Sequence, residues 1–313
     1  MLCGSGLRAV VTACQAIQCG SSDLVVAGGQ ESMSLAPHLL HMRRPVKFGD
    51  RTAQDSLISK HMGVTAENVA RRYGVSRQDQ DNFACLSQNK AEKAQRSDLF
   101  KEELLPAAAS AVGSDPQEPL LRQDEFPRHG TTVEGLKSLK PSFQKDAEAT
   151  VTAGNSSGIN DGPPPCCSPR RRRLRNGACR VVSYGQAGVE PDYMGMGPVP
   201  AIRKALSRAG WSTKDVDLFE LNEAFAAQAV AVCSELDLDR ARLNVCGGAI
   251  ALGHPIGCSG ARILVTLAHQ MRRLSARRGC AAACIGGGMA SPCAWSCLRV
   301  AISVMGDCEA SLR

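Results

Sequence analysis

Cys258-Ser259-Gly260, then a helical stretch over roughly Ala261 to Arg273, then the apolar run Cys280 to Ile285 closing on Gly286-Gly287-Gly288, decide the fold class. A helix feeding a short apolar strand that ends in glycines is an α/β signal. The same order stands near the other end of the chain: Gly4-Ser5-Gly6, an Ala-rich helix over Leu7 to Ile17, and a short buried strand from Asp23 to Ala27 ending at Gly28-Gly29. One unit occurring twice in the same order predicts an internal duplication. Between the copies, Thr65 to Tyr73 opens with a Thr-x-Glu start and Ser76 to Gln95 reads as a long, polar-faced helix beginning Ser-Arg-Gln-Asp, together an exposed helical insertion. Residues 106–135 carry the Pro, Gly, Ser and charge of a surface loop. Ala201 to Ala209 is helical, Val216 to Glu220 a strand, and Glu223 to Leu236 an Ala-rich helix.

The composition agrees with a folded α/β chain. The 313 residues are 43% hydrophobic, enough for a core in two domains or one large unit, and 30 glycines exceed common usage. No stretch reaches the roughly 18 apolar residues of a membrane helix, and the first residues lack a signal-peptide pattern, so a soluble, intracellular protein is expected. The net charge of +7 has its most visible source in Arg170, Arg171, Arg172, Arg173 and Arg175, one local run rather than a basic face. Fifteen cysteines, an odd number in a long chain without a secretory signal, do not read as a disulfide framework. Cys280-x3-Cys284 with Cys293-x3-Cys297 only loosely imitates zinc spacing, so no metal is expected.

The glycine-rich junctions hold the residues of chemical interest. Cys3 stands just before Gly-Ser-Gly and a helix, where free N–H groups and the helix dipole favour a thiolate and lower its pKa. The alternative is a buried structural cysteine. His254, in Gly247-Gly248-Ala249-Ile250-Ala251-Leu252-Gly253-His254-Pro255-Ile256-Gly257, is held on a loop as a base for a thiol would be, or is merely exposed. Cys284 precedes Gly286, where successive N–H groups make an oxyanion site beside a second thiol. Asn222, in Asn-Glu-Ala-Phe, reads by itself as an N-cap.

Taken together, these strings resemble the thiolase family, most closely its biosynthetic, acetoacetyl-CoA branch. The resemblance rests on Cys-Gly-Ser-Gly-Leu at 3–7, Val-Ala-Gly-Gly-Gln-Glu-Ser-Met-Ser at 26–34 and His-Met-Gly-Val-Thr-Ala-Glu-Asn-Val-Ala at 61–70. Asn-Glu-Ala-Phe-Ala-Ala at 222–227, Gly-Gly-Ala-Ile-Ala-Leu-Gly-His-Pro at 247–255 and Cys-Ile-Gly-Gly-Gly-Met at 284–289 complete it. It implies an α/β thiolase fold: duplicated half-domains in a layered αβαβα arrangement, each built on a mostly parallel sheet, with a helical loop-domain insertion. The implied division is residues 1–35, the remainder of the N-terminal half; 36–150, the insertion; 151–179, the end of that half with a Pro/Cys/Arg segment; 180–289, the C-terminal half; and 290–313, an aberrant tail.

By resemblance the chain is an acyltransferase that joins two acetyl-CoA into acetoacetyl-CoA and CoA, and runs the reverse thiolysis. Cys3 takes the acetyl group, His254 accepts the thiol proton, and Cys284 removes a proton from the methyl of the second acetyl-CoA. Two thiols are needed because one is occupied as the thioester while the other works as the base. Asn222 through a water, with His254, is implied as the enolate site, and the N–H groups of Cys3 and Gly286 as the site of the tetrahedral intermediate. The CoA thioester would meet His61, Met62, Ala153, Ser157, Ile159, Met194 and Phe225; for Met62, Met194 and Phe225 ordinary core packing stands as the alternative. The resemblance implies no cofactor beyond the CoA substrates, a homo-oligomer (dimer or tetramer), no nucleic-acid or membrane partner, and a cytoplasmic location, a mitochondrial or peroxisomal one being left open by the short N-terminus.

The chain also departs from the family. Family strands and helices that precede the nucleophile are missing ahead of Cys3, and Ser56 to Lys60 replaces an Asp-Gly-Leu-Thr-Asp-like segment. After Asn160-Asp161-Gly162 the chain runs Pro163-Pro164-Pro165-Cys166-Cys167-Ser168, the string obtained when GC-rich codons for Ala-Ala-Ala-Val-Leu-Leu are read one base late. Ala290-Ser291-Pro292-Cys293-Ala294-Trp295 relates similarly to the family's last strand. Residues 163–179 and 290–313 are therefore read as out-of-frame translation, which resequencing of the transcript tests, and the loss of central strands leads us to expect a poorly folded or inactive chain. Two further readings stand beside the enzyme: a catalytically dead subunit with a binding or regulatory role, and a basic nucleic-acid-binding protein using the arginine run.

Overall fold

The computed structural model describes residues 1–36, 54–55, 60–105, 123–162, 166–167 and 179–297. Helix α1 (Ser5–Gln18) buries Leu7, Val10, Val11, Cys14 and Ile17, the i, i+3, i+4, i+7 stripe of an amphipathic helix. It leads to two short strands, β1 (Ala27–Gly28) and β2 (Glu31–Ser32). The two-residue ladder β3 (Gln54–Asp55) and β4 (Lys60–His61) precedes helix α2 (Met62–Tyr73), whose N-cap is His61, Nδ1 accepting the Gly63 N–H. Helix α3 (Arg77–Arg96) begins with a Ser76–Asp79 capping box, and α4 (Val133–Lys137) is a single short turn.

Strands β5 (Asp161–Gly162) and β6 (Cys166–Cys167) pair antiparallel with β2 and β1 respectively. Then come β7 (Cys179–Tyr184), β8 (Ala187–Gly188), α5 (Pro198–Ala209), β9 (Leu218–Leu221), α6 (Ala226–Leu236), α7 (Ala249–Leu252), α8 (Ile256–Arg273), β10 (Arg278–Ile285) and β11 (Met289–Cys297). The main sheet has the order β7-β11-β10-β9, with β8 also on β11. Residues of β10 alternate between its faces. Cys280, Ala282 and Cys284 join one apolar cluster with α5, α6 and the insertion helices, whereas Ala281 and Ala283 join Leu7, Val10, Ile263, Leu264 and Leu267 of α1 and α8 on the other.

Both helix–strand repeats form as expected at the level of their helices, and α1 packs directly on α8. Four expectations are corrected. The first-copy strand is only Ala27–Gly28, and Leu24 and Val26 stand 49% and 62% exposed, because among the described residues only the two-residue β6 pairs with it. The main sheet is mixed: only β9–β10 is parallel, since the glycine turn at 286–288, with φ of 80° at Gly287 and 77° at Gly288, folds β11 straight back as a hairpin. The helical insertion is not peripheral, for α3 buries Gln80, Asp81, Phe83, Ala84 and Ser87 against α6 and α7.

The final correction concerns the last strand, which is present. Residues 289–297 lie between β10 and β7, and Pro292, which has no N–H to give, stands where β11 faces the break between β8 (Ala290↔Ala187) and β7 (Cys293↔Tyr184). The arginine run at Arg170–Arg175, Pro163-Pro164-Pro165, most of 106–135, residues 56–59 and the tail from 298 lie outside the described residues.

Candidate active site

Asn222 follows β9 and is not the cap of α6, which starts at Ala226 with Phe225 at its N-cap. Its N–H instead donates to Ala282 O on β10 (2.9 Å), and Gln228 Nε2 holds its carbonyl (3.2 Å). That fixes the side chain against His254: Asn222 Nδ2 lies 3.3 Å from Nε2 and 3.4 Å from Nδ1. Asn222 Oδ1 is enclosed and has no hydrogen-bond partner among the described residues, so this acceptor is available to an incoming donor.

His254 is buried at the end of a loop that requires glycine at 253: φ there is 87°, and a Cβ would come within 2.5 Å of Asn160. Asn160 Oδ1 accepts the His254 backbone N–H (3.2 Å). Nδ1 of the ring lies 2.5 Å from Ser259 Oγ, whose own proton goes to Pro255 O (2.8 Å). A hydroxyl has one proton, so Ser259 accepts at Nδ1, the imidazole carries its hydrogen there, and Nε2 is the unprotonated nitrogen, with the Asn222 amide beside it. Burial, followed by the Arg262 charge, lowers the His254 pKa to about 4. The ring is therefore neutral near pH 7, as a base must be.

Cys3 sits in a single turn, Leu2–Gly4, packed on α8 and β10. Its sulfur receives the N–H groups of Gly286 and of Cys3 itself. Those bonds favour a thiolate, but burial outweighs them and raises the pKa to about 11, which corrects the expectation of a lowered value. Although the residue as a whole is half-buried, the thiol is surrounded by protein, and desolvation exceeds what two N–H donors return. The resting group is a thiol that needs a base. Cys284, buried on β10 close enough to feel the Cys3 charge, is likewise pushed up, by burial first and by Cys3 second.

The residues expected to meet substrate divide into two groups. His61 stacks on Phe143 (4.8 Å between centroids), and Phe143 meets Phe225 edge-on (5.9 Å). Ser157 donates through N and Oγ to Ala224 O (3.0 Å each), beside a bridge from Ser156 to Phe225. Met194 and Phe225 are core members with Cys284 and Met62 packs against them, so the core alternative for these three describes their burial correctly. Ala153 and Ile159 are exposed and outside this cluster. The sequence reading missed Ser259, Asn160 and Phe143. Ser259 was legible as the serine of the second Cys-Ser-Gly copy; Phe143 carried no local signal. A cavity of about 600 Å³ beside α1, lined by Met1, Arg8, Ala9, Thr12, Val25 and Val26 among others, contains none of the predicted site residues.

A thiol in the turn ahead of α1, a second thiol near it on β10, a neutral histidine with a defined unprotonated nitrogen, and an asparagine amide against that ring are the kinds of group that acyl transfer uses. The family model of the thiolase N-terminal domain matches residues 1–164 and that of the thiolase C-terminal domain residues 176–296. The chain belongs to the thiolase family. It is 50% identical over 302 residues to the cytosolic acetyl-CoA acetyltransferase of Mus musculus, which covers 92% of this chain and 75% of that protein. The acetyl-CoA acetyltransferase of Rhizobium meliloti is 49% identical over 301 residues, with the same shares. The crystal structure of the Bacillus anthracis acetyl-CoA acetyltransferase superimposes with a TM-score of 0.87 at 40% identity, over 95% of this chain and 77% of that one. Human mitochondrial 3-ketoacyl-CoA thiolase in complex with CoA gives a TM-score of 0.85 at 38% identity, over 95% and 76%.

Proposed function

We propose that the chain is an acetyl-CoA acetyltransferase that condenses two acetyl-CoA to acetoacetyl-CoA and CoA and catalyses the reverse thiolysis. The observation that carries this is that Cys3 meets the Gly286 N–H and lies near Cys284, while Ser259 and Asn222 hold a His254 ring whose Nε2 is unprotonated. In the first half-reaction the Cys3 proton passes to His254 Nε2 and the sulfur attacks the acetyl carbonyl. The oxyanion meets the N–H groups of Cys3 and Gly286, and CoA departs with the proton relayed by His254.

In the second half, Cys3 is a thioester that cannot ionise, so a Cys284 thiolate meets no like charge there. Cys284 gives its thiol proton to His254 Nε2, and the thiolate so formed takes a proton from the methyl of the second acetyl-CoA. The enolate oxygen is stabilised by the N–H then present on His254 Nε2 and by a water held on Asn222. Attack of the carbanion on the acetyl carbon breaks the Cys3 thioester, and the proton held on His254 passes to the released Cys3 thiolate, leaving both cysteines as thiols and His254 neutral.

His61, Met62, Ser157, Met194 and Phe225, with Ala153 and Ile159 at the rim, form the CoA-thioester path in this reading. A homo-oligomer, a cytoplasmic location, and the division at 1–35, 36–150, 151–179, 180–289 and 290–313 belong to it as well; the name of the Mus musculus relative supports the location. The test is acetoacetyl-CoA thiolysis by the purified chain, with Cys3→Ser as control and mass spectrometry for acetyl-Cys3. Turnover and adduct, both lost in Cys3→Ser, are expected; turnover that survives Cys3→Ser refutes the assignment.

A further inference from the structure

Glu223 follows Asn222 directly and is 1% exposed, its carboxylate bonded to Asn244, Ser87 and Ile250. Every neighbour presents it with a donor. Oε1 accepts from Asn244 Nδ2 (2.7 Å), and Oε2 accepts from Ser87 Oγ (2.7 Å) and from the Ile250 N–H (3.2 Å). Asn244 cannot turn its amide over, because Oδ1 takes the Leu221 N–H and Nδ2 also donates to Leu221 O (2.9 Å each). Nor can Ser87 reverse, because its oxygen accepts the Gly248 N–H (3.0 Å) and its single proton is left for Glu223. Burial raises the pKa of the group and these bonds oppose it. A protonated oxygen would find only donors, so the geometry selects the carboxylate, with Arg262 and Lys90 as the cations and Glu220 as the anion that face it.

The elements so joined are the two that carry Asn222 and His254. Gly248 and Ile250 open the turn that runs through Gly253 to His254, and Gly248 lies so close that a Cβ there would come within 2.2 Å of the Glu223 carboxyl carbon. Gln88 Nε2, one residue from Ser87 on α3, holds Ile250 O (3.2 Å). We propose that Glu223 is a positioning residue of the transfer reaction: its carboxylate locks the Asn222 turn to the His254 loop through Ser87 and Asn244, setting the amide-to-imidazole register. The proposal rests on the acetyl-transfer reading above.

The test uses the full chain with Glu223→Gln and Ser87→Ala, read by thiolysis kinetics, thermal melting and an NMR titration of the His254 imidazole. In Glu223→Gln an NH2 group must face either Asn244 Nδ2 or the Ser87 and Ile250 donors, so the loop is released. kcat falls about 100-fold with KM within threefold, because substrate binding is untouched while the catalytic groups shift by about 1 Å. His254 titrates higher than in the wild type, since a loosened loop admits water; loss of a nearby negative charge alone would move it lower. Ser87→Ala, which retains the carboxylate, gives a smaller change of the same kind, about fivefold in kcat, with cooperative melting.

Wild-type kcat in both variants overturns the proposal, as does loss of kcat only in step with loss of cooperative melting. Should the wild type fail to turn over acetoacetyl-CoA, the reaction reading fails and the His254 titration alone decides: an upward shift in a cooperatively melting Glu223→Gln upholds the positioning, and no shift ends it.

Discussion

Helices α1 and α8 touch backbone to backbone at Gly6 and Gly260, and a methyl group at either place tests the layered arrangement and the site together. A Cβ on Gly260 would lie 2.5 Å from Leu7 N and 3.2 Å from Leu7 Cγ; one on Gly6 would lie 2.5 Å from Ala261 N. The obstructing atoms are backbone, so no rotamer relieves the contact. An ordinary separation near 3.4 Å requires the helices to part by about 1 Å, enough to forfeit a quarter to a half of the dispersion across that seam. Overpacking of this kind costs roughly 1–3 kcal/mol, against a gain of up to about 1 kcal/mol from replacing a helical glycine, so Gly260→Ala should lose about 1–2 kcal/mol. At about 2–4 °C per kcal/mol the melting temperature falls by roughly 2–8 °C. The turn bearing Cys3 precedes α1 directly and moves with it; a displacement near 1 Å costs about 100-fold in kcat. Calorimetry and acetoacetyl-CoA thiolysis read the two effects, with Gly135→Ala, whose Cβ meets nothing nearer than 3.4 Å, as control. Gly6→Ala added to Gly260→Ala should cost less than the sum, since one separation serves both. Full additivity, or a Gly260→Ala protein with wild-type melting and turnover, refutes the backbone contact.

His254→Asn reports on the buried imidazole: the folded pKa of about 4 lies below the ordinary value of 6.5, so the unfolded chain takes up the proton first. Stability linked to His254 is fully present above about pH 6.5 and is lost as pH falls towards 4, so the wild type should lose up to roughly 3 kcal/mol relative to His254→Asn across that window in urea titrations; a constant difference contradicts it. Arg262 faces Glu220 (3.7 Å) and Glu103, whose pKa values burial raises to about 8 and about 7. Arg262→Met should cost about 3–5 kcal/mol at pH 9, where both carboxylates are charged, and much less at pH 5, where they are protonated; equal costs would exclude the cluster as the cause. Glu67 is fully buried and accepts from Thr150 N, Thr150 Oγ1 and Val151 N (2.9–3.1 Å), so Glu67→Gln should lose about 1–3 kcal/mol and raise KM severalfold by freeing the strip that carries Ser157. An unchanged KM in that variant would separate the strip from substrate binding.

The helices and the hairpin strand were legible because their signal is local: apolar periodicity in α1 and α8, small residues in β10, glycines at 286–288. Cys3, His254 and Cys284 were legible as residue types at glycine junctions, but their protonation was not. The dipole argument applied to Cys3 uses two turns of sequence, whereas its burial is supplied by β10 and α8, more than two hundred residues away. Asn222 was legible only as a cap, because nothing in Asn-Glu-Ala-Phe reveals that α6 starts four residues later. Glu223 was illegible for a related reason: its three donors come from α3, residue 244 and residue 250. The strand predicted at Asp23 to Ala27 failed because apolar residues make a strand only where a neighbouring backbone is in register.

The duplication itself accounts for the division of labour in the site. Gly4-Ser5-Gly6 and Cys258-Ser259-Gly260 open equivalent helices that cross at their glycines, so the residues just ahead of each start are brought together whatever their identity. In the first copy that place holds Cys3, the nucleophile of the proposed reaction, and Ser5 Oγ donates back to Gly257 O (3.4 Å). In the second, the equivalent serine, Ser259, fixes the tautomer of His254 (2.5 Å). Equivalent strand ends, Ala27-Gly28-Gly29 and Ile285-Gly286-Gly287, have separated in the same way, the second keeping Cys284 and the Gly286 N–H directed at Cys3. A single helix-start motif used twice, once for a thiol and once for the hydroxyl that orients His254, makes the α1–α8 crossing a part of the proposed chemistry as well as of the core.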